Sequence, residues 1–535
     1  MCINKVVDIV IRATYVFAWK PESRSIGLRR PRTGRPLAGP DLSHFSKGVI
    51  HMTATVEHSD LLSADLLIGG RFRQTSTGGA YDHINPSTGL SQASVPLAGT
   101  AEVDEAVTAA REAFGTWRKW DPVKRRRTLT KLADLMRAHA DELHTVQALE
   151  SGIPISMAGV LVENSLNWTD YAASAADKLS GEVVPSTPGE IFDYTLVEPV
   201  GVVGVIIPWN GPVGSLGMCA LPPLAAGCCV IIKPSELAPF SASLFGKLCQ
   251  EAGLPPGVVS VLPGGAEAGQ ALVGHPGVDM ISFTGGTATS RAIATKCAEM
   301  GKRCVLELGG KSADLVFSDA DVTKAAQEAL GWLLVTNGQA CTLASRFIVH
   351  TDIYDQYVET LAGLMQGLKV GDAIDPNTGM GPVINARAVE RILGMVDRAQ
   401  QQGATLLTGG TRLDLPGYMI APTLFGDVDN SSELAQDEVF GPVLSALRFE
   451  DEDQAVEMAN ASQYGLAGYI HTNDLSRALR VAAALETGNV GINGGVAPAA
   501  ANAPFGGVKQ SGLGRLGGLG GILEYTTIKN VQIRL

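Results

Sequence analysis

Cysteine carries the most nucleophilic side chain near neutral pH, and this 535-residue chain has eight. Cys219, Cys228, Cys229, Cys249, Cys297 and Cys304 stand in apolar surroundings and read as buried fillers. Cys341 differs. It follows the polar stretch 336–340 and is placed to open the next element, where a positive environment would lower its pKa. A second chemical group is Glu307, flanked by Leu306 and Leu308. Desolvation there would raise its pKa toward the range of a general base. Its plainer reading is a strand-edge carboxylate paired with Lys311. Asn210 closes an apolar run and precedes Gly211-Pro212, so on local grounds it is a turn residue. A thiol and a desolvated carboxylate suit covalent chemistry at an electrophilic carbon.

Such groups need a scaffold. Residues 197–208 are nearly all apolar and rich in β-branched side chains, which predicts a strand covered on both faces, as in a parallel sheet. A helix is expected over 213–226, a strand over 229–232, a helix over 241–252, and strands over 258–262 and 280–283. The strand ends carry Pro208-Trp209-Asn210, Lys233-Pro234-Ser235-Glu236, Pro263-Gly264-Gly265 and Thr284-Gly285-Gly286-Thr287. Ligands of open α/β sheets bind outside those ends, and a dinucleotide is the first expectation. The glycines alone are a weak signal, because residues 264–269 do not spell GxGxxG and no Walker A loop occurs. Upstream, 66–70 reads as strand and turn and 85–89 as a turn. Residues 104–117 form an amphipathic helix with Val103, Val107, Ala110 and Phe114 on one face. Helical patterns continue over 124–149 and 159–176.

Composition narrows the class. A 45% hydrophobic and 18% charged chain is globular and not broadly disordered. A net charge of -12 lacks the footprint of a nucleic-acid binder. The Cys show no paired short spacing except the adjacent Cys228 and Cys229, which points to reduced thiols in a cytoplasm. No apolar run is long enough for a membrane span. The nine His are scattered, and His139 and His144 lack zinc-type spacing, so no metal is expected. Residues 1–51 stand apart, with nine Lys and Arg against three Asp and Glu and a segment rich in Pro, Gly and Arg. They read as a disordered extension or as a mis-called start, with Met52 the true one; the second is favoured.

Taken in order, the motifs resemble the NAD(P)-dependent aldehyde dehydrogenase superfamily. They are Pro208-Trp209-Asn210, Lys233-Pro234-Ser235-Glu236, Phe283-Thr284-Gly285-Gly286-Thr287, Leu306-Glu307-Leu308-Gly309-Gly310-Lys311, Asn337-Gly338-Gln339-Ala340-Cys341, Glu438-Val439-Phe440-Gly441-Pro442 and Pro504-Phe505-Gly506-Gly507. Seven in the family's order make chance very small, and Cys341 follows Glu307 by the family's usual 34 positions. The resemblance implies an α/β fold: a split, doubly wound cofactor domain (52–180 and 200–308), a catalytic domain (309–510), and a β oligomerisation arm with a C-terminal strand (181–199 and 520–535). A dimer or tetramer follows from the arm.

The same resemblance assigns roles. Cys341 is the nucleophile, Asn210 the oxyanion donor and Glu307 the base that activates water. The presence of Glu307 favours water over coenzyme A as acyl acceptor, and a carboxylate as product. A coenzyme A-acylating enzyme and a catalytically idle family member are the alternatives. The cofactor contacts are Ile206, Pro208, Trp209, Lys233, Glu236, Gly265, Phe283, Thr284, Gly285, Gly286, Leu308, Glu438 and Phe440. Glu236 would repel a 2′-phosphate, so NAD is expected over NADP.

Two departures stand out. The positions of a Lys–Glu pair that many relatives carry near the proton exit are Cys219 and Leu516 here, so both charges are gone together. The resemblance sets Gly211, Gly214, Ser215, Met218 and Thr342 along the substrate tunnel; relatives have bulky residues at the first four positions and this chain has small groups at three of them, and the loop 494–503 is mostly small. A wide, apolar tunnel would suit a bulky, uncharged aldehyde, aromatic or terpenoid-like. The equal alternative is that small residues merely let elements pack closely.

Overall fold

The structure, a computed structural model, describes residues 61–185, 189–496 and 500–535. The expectations for residues 1–51, for a start at Met52 and for the middle of the loop 494–503 (Ala497, Pro498, Ala499) lie outside the described residues.

Two largely parallel sheets carry the candidate site. The first runs Gly512–Leu513, Arg303–Glu307, Met280–Thr284, Val202–Ile206, Cys229–Lys233, Val259–Val261, Leu66–Ile68 and Arg71–Arg73. Its five central strands are parallel, and their Val and Ile side chains are buried on both faces. The chain winds outward from Val202–Ile206 through Cys229–Lys233 to Val259–Val261. It then crosses to the other side for Met280–Thr284 and Arg303–Glu307. The winding reverses between Val202–Ile206 and Met280–Thr284, the switch point at which such sheets open a crevice.

The second sheet runs Thr405–Thr408, Thr423–Gly426, Val443–Phe449, Ala344–His350, Ser312–Val316, Ala467–His471 and Asn489–Ile492, parallel except at its first pair. The helices Val322–Val335 and Tyr354–Gln366 pack together beside it. A third, antiparallel sheet pairs Thr526–Arg534 with Ile191–Pro199, and Ile191–Pro199 with Val183–Val184. Ile528 on its outer strand is 75% exposed.

Three local expectations need correction. The apolar run 197–208 is two strands in two different sheets, because Pro199 ends one and Gly201 turns the chain. Gly201 sits at φ +133°, where a Cβ would overlap the Asp279 carboxylate. That carboxylate accepts from the Val202 N–H at 2.7 Å. The pattern 124–149 is two helices, Pro122–Ala138 and Ala140–Ser151, broken at His139. The helix expected over 213–226 starts at Pro212 and widens into a π turn over Leu216–Ala220. Gly217 explains the tight approach there, since a Cβ would lie 2.5 Å from the Ser165 carbonyl oxygen.

Among the described residues no single helix is long and apolar enough to cross a membrane.

Candidate active site

Three chain segments bring the chemical groups together. Asn210 follows Val202–Ile206, Glu307 is the last residue of Arg303–Glu307, and Cys341 lies in the turn between Val322–Val335 and Ala344–His350. The Asn210 side-chain amide donates to the Gln339 carbonyl oxygen at 2.7 Å. The oxyanion candidate is thereby tied to the loop that bears the thiol, and its second N–H is left to serve a ligand.

That loop is held from below by Asn337, which is fully buried at φ +56°. Its amide donates to Gly152 O (2.8 Å) and Pro382 O (2.9 Å), and its oxygen accepts from Gly381 N at 2.8 Å. Gln339 accepts from Ile384 N at 3.0 Å. Ser151, beside Gly152, donates to the Trp209 carbonyl at 2.8 Å. One helix end, Ser151-Gly152, thus positions both the Asn210 segment and the Cys341 segment. Sequence reasoning missed Ser151 entirely, and it quoted Asn337 only as part of a motif.

Glu307 is 3% exposed, and neither carboxylate oxygen has a hydrogen-bond partner. Burial holds its pKa well above the usual carboxylate range, and Arg515 moderates the shift. The pairing with Lys311 is not formed; the charges bearing on Lys311 are Arg346, Glu438 and Asp437. Gly506 walls the carboxylate, since a Cβ there would lie 2.6 Å from Glu307 Oε1 and 2.9 Å from Arg515 Cδ. Gly512 pairs with Glu307 along the strand edge. Cys219 and Leu516, each 1% exposed, fill apolar space without charge.

The expectation for the thiol is overturned. Burial, followed by the Glu438 and Glu307 carboxylates, pushes Cys341 up to about 12, although backbone N–H groups of Cys341 and Thr342 oppose the rise. The surroundings are acidic and not positive, so the resting group is a thiol. Cys304, expected as a buried filler, is partly exposed; it shares a hydrogen bond with Cys297.

The strand ends form a second region. Lys233 is 7% exposed, and its ammonium donates to Pro234 O (2.9 Å) and Gly264 O (2.5 Å). Burial lowers its pKa to about 8, and Glu236 opposes this. Glu236 is partly exposed at the crevice edge, near Gly265. The helices Ala266–Gly274 and Thr287–Glu299 start at Gly265 and Gly286, and neither has a side-chain cap. Each helix begins within a few residues of the end of a sheet strand, Val259–Val261 or Met280–Thr284, an arrangement whose uncapped N–H groups suit phosphate oxygens. A Cβ on Gly286 would meet nothing within 4 Å, so the approach is open. Phe283 closes the strand with its ring under Gly285, and Thr284 Oγ1 lies 3.8 Å from the Cys219 sulfur. Ile206 and Leu308 are buried, and Leu308 N donates to Ser511 O at 3.0 Å.

Glu438 accepts from Gly310 N at 2.9 Å, and burial raises its pKa to about 7. Phe440, at φ +49°, meets Trp209 edge-on with ring centroids 5.4 Å apart. The donor set fits a dinucleotide: uncapped helix ends for phosphates, and carboxylates at Glu236 and Glu438 for ribose hydroxyls. Among the described residues no group of three or more His, Cys, Asp or Glu is placed to hold a metal ion.

On the tunnel side, Gly211 and Gly214 are not demanded by packing. A Cβ on Gly211 would meet nothing within 4 Å, and on Gly214 only Leu161 O at 3.9 Å. Ser215 is buried, and Met218 is partly buried against the core of the first sheet. Thr342 is partly exposed, and its carbonyl accepts from the Tyr469 hydroxyl at 2.9 Å.

Comparison with known proteins agrees with this geometry. Residues 72–531 match the model of the Aldehyde dehydrogenase family. An aldehyde dehydrogenase of Emericella nidulans is 40% identical over 473 residues, covering 88% of this chain and 95% of the relative. Human retinal dehydrogenase 2 is 38% identical over 476 residues, covering 88% of this chain and 92% of its own. A crystal structure of betaine aldehyde dehydrogenase from Staphylococcus aureus, in complex with NAD+, superposes with a TM-score of 0.87 at 34% identity. It covers 89% of this chain and 96% of that one.

Proposed function

The chain belongs to the aldehyde dehydrogenase family, and we propose that it oxidises a bulky, uncharged aldehyde, aromatic or terpenoid-like, to its carboxylic acid with NAD. The observation that carries the reaction is the convergence of a thiol, an unpartnered buried carboxylate and a side-chain amide tethered to the thiol's own loop.

In this reading Glu307, as carboxylate, draws the proton from the Cys341 thiol, and the sulfur bonds to the aldehyde carbon. The free N–H of Asn210 and the Cys341 backbone N–H hold the oxygen that becomes negative. Bound NAD supplies the hydride acceptor. Asn210 and Cys341 then hold a thioester whose carbonyl oxygen keeps the same donors. Glu307 releases the thiol's proton to solvent and is again a carboxylate; it then takes a proton from water, the hydroxide oxygen bonds to the acyl carbon, and the carbon–sulfur bond breaks, the departing sulfur regaining a proton from Glu307 as the thiol. The carboxylate product leaves with one oxygen from water.

Lys233, Glu236, the Gly265 and Gly286 helix ends, Glu438 and Phe440 would hold the cofactor. Glu236 supports NAD over the 2′-phosphorylated form. The relatives' names cite retinal and betaine aldehyde, so identity alone does not select a substrate. The open space at Gly211 and Gly214 supports the bulky class. The exposed strand Thr526–Arg534 supports self-association through its outer edge.

The test is NADH formation across acetaldehyde, long alkanals, benzaldehydes and citral-like enals, with Cys341→Ala as control. Best turnover on aromatic or branched enals is expected. Best turnover on acetaldehyde would sink the substrate reading and leave the chemistry intact.

A further inference from the structure

Behind the nucleophile, four ionisable groups gather on one face of the second sheet. His471 Nε2 lies 3.2 Å from Asp314 Oδ2 and 3.6 Å from Glu328 Oε2. Lys324 Nζ reaches the other Glu328 oxygen at 3.7 Å. Asp314 is fully buried and His471 is 6% exposed. Buried ionisable groups are tolerated when paired, and two acidic side chains face one imidazole and one ammonium here. Burial alone would lower the His471 pKa; Asp314 and Glu328 more than offset it, and the net shift is upward. The Tyr357 hydroxyl, buried and unpartnered, also feels Asp314 and Glu328.

This cluster abuts residues 493–494 directly and the nucleophile loop by way of Tyr469. A Cβ on Gly494 would lie 2.6 Å from Glu328 Oε1. Lys324 Nζ donates to Asn493 O at 3.4 Å. On the other side, Tyr469 is the cross-strand partner of Asp314 and sits two residues before His471, on the same face. Its hydroxyl donates to the carbonyl of Thr342, the residue after Cys341, at 2.9 Å. Its ring packs on Trp332, centroids 5.0 Å apart, and Trp332 lies one helical turn beyond Glu328.

We propose that Tyr469 is a positioning residue for Cys341, and that the His471–Asp314–Glu328 cluster holds Tyr469, the nucleophile loop and residues 493–494 in one register. The proposal rests on Cys341 being the nucleophile. That premise has its own check: iodoacetamide must label Cys341 in the wild type, found by peptide mass spectrometry, and the Cys341→Ala variant must lose turnover.

The experiment is a double-mutant cycle with Tyr469→Phe and Glu328→Gln in the full chain, reading the pre-steady-state NADH burst and the KM for NAD. Tyr469→Phe removes one hydrogen bond and keeps the ring stack. It is expected to slow the burst about fivefold, with the KM for NAD unchanged. The double variant should lose less than the product of the two single losses, because the effects share one path. A wild-type burst in Tyr469→Phe overturns the positioning role. Strictly multiplicative losses overturn the link to the cluster. Should Glu328→Gln fail to fold, Lys324→Met closes the same cycle from the solvent side. If Cys341 escapes labelling and its Ala variant still turns over, the catalytic reading itself has failed, a result distinct from either.

Discussion

Asn210 and Gln339 lie 129 positions apart, yet the amide of one donates to the main-chain oxygen of the other at 2.7 Å. The amide proposed as oxyanion donor and the loop that bears Cys341 are therefore joined before any substrate arrives. Preorganisation of this kind spares the cost of orienting a dipole during the reaction. Asn210→Ala should lower kcat by about 10²- to 10³-fold, with the KM for NAD little changed. Steady-state kinetics at saturating aldehyde would check it.

Glu307 sets a conflict between folding and activity. Its folded pKa is raised above the unfolded value, so its contribution to stability is complete at low pH and is lost as pH rises through the folded pKa. With Glu307 as the proposed base, activity runs the other way, since only the ionised form accepts a proton. Wild-type kcat should thus rise with pH while melting temperature falls. Glu307→Gln should lose about 10²- to 10⁴-fold in kcat and gain melting temperature, the gain widening toward alkaline pH. Thermal melts and rate profiles over one pH series test both arms.

Cys341 is a resting thiol with its pKa pushed up to about 12. Alkylation of the free enzyme by iodoacetamide should climb steadily with pH and show no plateau near neutrality. Removing a nearby negative charge by Glu438→Gln should speed alkylation. A plateau near neutrality in the wild type would mean a thiolate already formed.

The tunnel prediction turns on Gly211, which has room for a side chain and no left-handed φ to forbid one. Gly211→Phe should fold, lower kcat/KM for bulky aldehydes and spare acetaldehyde. An unchanged rank order over the aldehyde panel would place the substrate elsewhere.

Glu236 is the residue proposed to discriminate between the cofactors. Glu236→Ser should raise the ratio of NADP to NAD kcat/KM, since it removes a negative charge facing a 2′-phosphate. A ratio that stays fixed would move that role to another residue.

Much of this was legible in the sequence. The buried run Cys229–Lys233 reads as a parallel strand because nothing in it is polar before Lys233. Cys341, Glu307 and Asn210 were singled out through motif context alone, and the fold ties Asn210 to the Cys341 loop and sets the Glu307 carboxylate where it bears on the thiol. What stayed hidden depends on distant partners. No local pattern reveals that Ser151 donates to Trp209, or that Tyr469 reaches Thr342. The charge around Cys341 was misread for the same reason: Glu438 follows it by 97 positions, and only folding brings that carboxylate close. The break at Gly201 was missed because periodicity sees an apolar run and not the Asp279 carboxylate that turns it.

Gly506 walls the Glu307 carboxylate and Gly512 edges its strand, and both are synthesised long after the base and the nucleophile. A chain growing on the ribosome therefore carries its cysteine, amide and carboxylate while their shared enclosure is still unmade. Until those late glycines are made, the wall and the strand edge beside Glu307 cannot form. The enclosure that raises the Glu307 pKa is thus among the last parts of this site that translation supplies.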